Sequence, residues 1–167
     1  LTMLSLIPWL VFLHTLSALL FFLAHGTSVA MTFQIRKERD FARIGALLDL
    51  SASTFKFMIL SFLALGLTGL AMPFILKIWN QGWVWASVIL MVVVIVQMGM
   101  MNDKRYKHLR RMIGQPYMIG GKHFPAEAPA SQSEVEAHIQ KLKVGELVGV
   151  GIVIPIIVLW LMVFKPF

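Results

Sequence analysis

Four long stretches without a single Asp, Glu, Lys or Arg, at 1–35, 57–76, 78–102 and 147–164, dominate the 167-residue chain. A helix rises about 1.5 Å per residue and the hydrocarbon layer is about 30 Å thick, so about 20 apolar residues cross it. The second stretch just meets that length, the fourth falls slightly short, and the third has slack for tilt. The first exceeds what hydrocarbon alone requires. Soluble domains keep about a quarter of their residues charged, whereas here 14% are charged and 58% apolar. The expected fold is an all-α membrane protein, one transmembrane domain over residues 1–167, with helices at about 4–30, 55–77, 83–102 and 144–164 in an antiparallel bundle.

The first stretch has a second reading, as a secretory leader. Leaders carry a basic opening, a short apolar core and a small-residue cleavage site. Here the basic opening is missing, the apolar stretch is too long, and polar His25, Thr27 and Ser28 follow it. An uncleaved helix is expected. No Met opens the chain, so Leu1 is not read as the true start.

Thirteen of the fifteen Lys and Arg lie at 36–56 and 104–143. With four spans these segments fall on one side, together with all eight acidic residues. A basic excess beside spanning helices marks the cytoplasmic face. Both termini are therefore expected outside, with loops 36–54 and 103–143 cytoplasmic, in a bacterial inner membrane. This also accounts for the net charge of +7 without nucleic acid. The expected partners of the basic loops are anionic lipid head groups. The chain has no Cys, which excludes disulfides and thiolate metal sites.

Pro8 and Trp9 suit the outer end of the first helix. Phe41, Ile44, Leu47 and Leu48 recur at helical spacing between Arg39, Asp40 and Arg43, which predicts a short amphipathic helix in the cytoplasmic head-group layer between helices 1 and 2. Ser51, Ser53 and Thr54 are candidate N-caps for the second span. Ala64, Gly66, Thr68, Gly69 and Ala71 allow close helix contact there. Asn80-Gln81-Gly82 reads as a short outer turn flanked by Trp79, Trp83 and Trp85. The run DKRYKHLRRM at 103–112 reads as a basic continuation of helix 3, and 114–133 as irregular loop. Ser133 and Glu136 have capping-box spacing. Gly149, Gly151 and Pro155 predict a kink in the last span, because proline removes the bond to the Gly151 carbonyl.

Ionisable groups within spans are costly and default to functional hypotheses. His14 and His25 are the two candidates, on one face of the first helix and about 16 Å apart. As cofactor residues they would ligate haem or a chlorophyll-type pigment. A bis-His haem needs a facing imidazole, which helices 2, 3 and 4 lack. A second copy's His14, or Met98, Met100 or Met101, would have to supply the other ligand. The alternative, favoured by the sequence, is a histidine donating to a neighbouring helix. His25, Ser28, Thr32 and Gln34 form a candidate quinone pocket, with Gly26 and Ala30 making room; against it stands simple helix contact. Eleven Met raise copper handling, but they are dispersed and Met is a routine packing residue. No metal site is expected. No carboxylate lies within a span, which argues against a proton pump, and no catalytic motif is present.

The stretch LHTLSALLFFLAHGTSVAMTFQIRKERDFARIGALLDLS, with His14, His25, Gly26, Glu38, Arg39, Asp40 and Asp49, resembles the start of a family of small four-helix bacterial integral membrane proteins. In that family a histidine helix precedes an Arg-rich E-R-D segment. The resemblance implies the four-helix topology and brings no activity or site with it. The expected function is a non-catalytic accessory subunit of a respiratory or photosynthetic electron-transfer complex, packed against other integral subunits. The alternative is a small haem-, pigment- or quinone-binding redox protein.

Overall fold

The structure is a computed structural model that describes residues 3–101 and 105–167. A 3-10 turn, Met3–Leu6, leads into α1 (Ile7–Ile35), α2 (Phe41–Leu76), α3 (Gly82–Met101) and the short α4 (Lys107–Met112). A hairpin of β1 (Tyr117–Ile119) and β2 (Lys122–Phe124) follows. After it come α5 (Gln132–Gln140), α6 (Val144–Val148), a π-helical stretch at Gly149–Val153, and α7 (Ile154–Phe164). Four helices, Ile7–Ile35, Phe41–Leu76, Gly82–Met100 and Gly145–Phe164, are long and apolar enough to cross a membrane. Their outer surfaces carry large apolar side chains such as Leu23, Leu67 and Phe74, each about 70% exposed. Lipid tails, not water, suit such faces. The protein is a multi-pass helical membrane protein.

Hydrogen bonds fix the relative direction of the helices. His14, early in α1, meets Thr68, late in α2, while Ser28 meets Ser51 at the other end, so the two run in opposite directions. At one end of α3 the Trp83 amide donates to the Phe167 carbonyl, and near its other end Arg105 pairs with Glu146. Between the helices, Phe21, Ala24, Met58 and Val94 form a buried core.

The segment expected to lie on the lipid surface does something different. Phe41–Leu50 is the opening of α2, continuous with the span. Asp40 caps it, accepting from the Ala42 amide at 2.8 Å, and Glu38 accepts from the Arg39 and Asp40 amides. Ser51, Ser53 and Thr54 are therefore interior helix residues, not caps. The Ser53 and Thr54 hydroxyls donate to carbonyls three residues back, which satisfies them without ending the helix. The apolar face is covered by protein. Ile44 and Leu48 are buried with Ile35, Leu109, Val135 and Ile139 in a second core, against which Phe41 and Leu47 pack.

That second core belongs to a cap built on the basic end of the helices. Arg36 donates to the Leu142 carbonyl at 2.6 Å, Arg39 pairs with Glu136 at 3.1 Å, and Arg110 with Asp49 at 2.7 Å. Glu38, Arg39, Asp40 and Asp49 thus all serve as cap and loop ties. The α5 capping box is Ser131 with Glu134, two residues earlier than the Ser133 and Glu136 pair expected. The loop expected to be irregular contains the β1–β2 hairpin, turning at Gly120-Gly121 with φ of 57° and 81°. Two positive φ angles in a two-residue turn call for glycine. The junction expected at Asp103 and Lys104 lies outside the described residues.

Candidate functional site at the basic end of the helices

The two intramembrane histidines are helix ties. His14 Nδ1 lies 3.2 Å from the Leu65 carbonyl and 3.1 Å from Thr68 Oγ1. The Thr68 hydroxyl donates to the Ala64 carbonyl at 2.7 Å, leaving its oxygen free to accept from the ring. Gly69 makes the approach possible, since a Cβ there would sit 2.8 Å from His14 Cε1.

His25 reaches a different helix. Its Nε2 donates to the Gly151 carbonyl at 3.1 Å. In a regular α-helix the amide of residue 155 would take that carbonyl, but Pro155 has no N–H. The histidine supplies the donor that the proline withholds. The π-helical stretch just before Pro155 is the local adjustment that accompanies it. The ring stacks on Phe21 at 5.5 Å with an 11° tilt. Because a carbonyl can only accept, Nε2 carries the hydrogen and a neutral ring has a bare Nδ1. That Nδ1 is buried without a partner among the described residues.

Of the four residues expected to form a quinone pocket, His25 and Ser28 line one cavity, and Thr32 and Gln34 do not line it. Ser28 bonds Ser51 at 2.8 Å. Thr32 is buried, donating to the Ser28 carbonyl at 3.0 Å and contacting the Tyr106 hydroxyl. Gln34 is exposed and lines a separate surface hollow of about 480 Å³ beside Lys37, Glu38 and Arg43. Of the methionines considered as haem ligands, Met98 lines the cavity of His25 and Ser28, Met100 is exposed, and the side chain of Met101 lies outside the described residues. No group of three or more His, Asp or Glu is placed to hold a metal ion among the described residues.

The shared cavity measures about 760 Å³ and sits where the helices meet the cap. Phe55, Met58, Ile59, Ile95, Met98 and Val150 give it an apolar wall between α2, α3 and the π-helical stretch. Lys56, Lys107, Arg110 and His123 line it as well, with Tyr117 and Asp49. Burial pushes the Tyr106 phenol at its edge upward, only partly opposed by Thr32 and Arg105, so it stays a neutral hydroxyl. The cationic lining was not legible beforehand. Lys56, Arg110 and His123 come from a span, a short helix and a strand, and each alone reads as an ordinary polar surface residue. Compared with known proteins, the chain matches no family model, no curated protein and no solved structure.

Proposed function

We propose that the chain is a non-catalytic accessory subunit of a larger energy-transducing, electron-transfer complex in a bacterial inner membrane. In this reading the four spans cross as an antiparallel bundle, both termini face outward, and the cap with loops 36–54 and 103–143 is cytoplasmic. The observation that supports it is the use made of His14 and His25. Each is committed to tying α1 to a neighbouring helix, and the carboxylates of Asp49 and Glu146 lie at the basic ends of their helices, paired with Arg110 and Arg105. A partner helix has a place to pack. Gly26 and Ala30 face outward on α1, and a Cβ added at Gly26 would meet nothing within 4 Å. The resemblance to small four-helix bacterial membrane proteins agrees with the four-span topology in this reading.

Mild solubilisation of native membranes, with an absorption spectrum and identification of co-purifying chains, tests the proposal. A colourless chain leaving the membrane only with larger integral subunits supports it. A Soret or pigment band, or a quinone, stoichiometric with this chain would replace it with the redox reading.

A further inference from the structure

The cavity between the helices and the cap has two kinds of lining, one on the spanning-length helices and one toward the cap. Lys56 stands one residue before the uncharged stretch of α2, Gly99 lies at the end of α3, and Leu147 near the start of the last span. The cavity therefore sits at head-group depth at the basic end. Toward the spans it presents Phe55, Ile59, Ile95 and Met98. Toward the cap it presents the cations of Lys56 and Arg110 with the imidazole of His123, and Asp49 is the carboxylate among the described lining residues. Asp49 is already paired with Arg110 at 2.7 Å, so Lys56 adds a positive charge to the lining beyond that pair.

We propose that this cavity is a specific binding site for one anionic phospholipid of the leaflet on the cap side. Its phosphate sits among Lys56, Arg110 and His123, and its upper acyl chains lie against Phe55, Ile59, Ile95 and Met98. Charge complementarity selects an anionic head over a zwitterionic one, because a cationic lining near the membrane surface favours each added negative charge. The apolar wall selects a lipid over a free phosphate, which would leave that wall empty. The cap gives the site its specificity. Tyr117 and His123 of the hairpin close over a head group, whereas lipids around the outer faces of the helices meet large apolar side chains such as Leu23, Leu67 and Phe74. This goes beyond the accessory-subunit reading and stands whether or not that reading holds.

Native mass spectrometry of the full-length, delipidated chain in detergent tests the proposal. The probes are dioleoyl phosphatidylglycerol, dioleoyl phosphatidylethanolamine and inorganic phosphate. The expected result is one retained phosphatidylglycerol, bound in preference to phosphatidylethanolamine, with no adduct from inorganic phosphate. Lys56→Gln should weaken that binding about fivefold, the effect of one cation at a membrane surface. Gly99→Leu offers a second arm. A Cβ at Gly99 meets nothing within 4 Å, so a larger side chain fills open space in the cavity while the helix keeps its fold. That variant should lose the retained lipid with its helical circular dichroism unchanged. Equal retention of both lipids with no effect of Lys56→Gln would overturn the site, as would phosphatidylglycerol still held by folded Gly99→Leu. Binding of inorganic phosphate alone as tightly as the lipid would overturn the choice of ligand.

Discussion

His25 Nε2 lies 3.1 Å from the carbonyl of Gly151, the acceptor that Pro155 leaves without its helical amide. A break in one span and a polar group in another thus cancel each other. An unpaired carbonyl in hydrocarbon is costly, and so is an unpaired imidazole. Joined, they pin α1 to the last span at the level of the cavity. Val29 packs at the same point, since a Cβ added at Gly151 would fall 2.9 Å from Val29 Cγ2.

The His14 tie makes a paired prediction about glycines one turn apart. Gly69→Ala places a methyl against the His14 ring and should break its bonds to Leu65 and Thr68, destabilising the protein by about 1 kcal/mol. Gly66→Ala meets nothing within 4 Å and should be neutral or stabilising by about 0.5–1 kcal/mol through helix propensity. Unfolding in micelles separates the two. Equal effects would mean that the close approach at Gly69 is unimportant.

Helix count and the Gly151 carbonyl were legible in the sequence, because length, charge and proline chemistry act locally. The covering of Ile44 and Leu48 was not. Periodicity tells which face of a segment is apolar and is silent on whether lipid or protein lies against it. Here the partners Leu109, Val135 and Ile139 come from a distant part of the chain. The two overlapping capping boxes show the same limit. Ser131–Glu134 and Ser133–Glu136 fit the pattern equally, and tertiary contact decides: the Ala130 amide is held by the Met112 carbonyl, and Val135 and Ile139 enter the core. The Gly120-Gly121 pair was a readable hairpin signal, masked by the neighbouring prolines. The cavity had no local signal at all.

The cap should loosen on mild acidification. Burial holds the His138 imidazole below its ordinary value, and His108, Lys141 and Arg105 add to that, against a bond to the Arg105 carbonyl. A base whose folded pKa is depressed is protonated first in the unfolded chain. Its contribution is therefore full above the ordinary value of 6.5 and is lost as pH falls through that value toward the folded one. Glu38, Glu127 and Glu134, held below the usual 4.5 chiefly by hydrogen bonds, lose their contribution only at lower pH. Proteolysis within 105–143 should rise from about pH 7.5 to about pH 5.5, and His138→Gln should flatten that rise. An unchanged slope in the variant would assign the effect elsewhere.

The proposed orientation can be read with single cysteines, because the natural chain has none. Ser133→Cys on the cap should resist a membrane-impermeant maleimide in intact cells and react after lysis. Asn80→Cys in the α2–α3 turn should react in intact cells. The opposite pattern would invert the topology and move the lipid site to the other leaflet.

If the intramembrane histidines tie the helices together, a double-mutant cycle at His25 and Pro155 will show it. His25→Leu alone removes the donor to the Gly151 carbonyl and should cost about 1–2 kcal/mol of unfolding free energy in micelles. In the Pro155→Ala background the new amide can take that carbonyl, so the same substitution should cost less, with a coupling of about 0.5 kcal/mol or more. Strict additivity of the two substitutions, or a His25→Leu protein as stable as the natural one, would mean that His25 does not tie α1 to the last span.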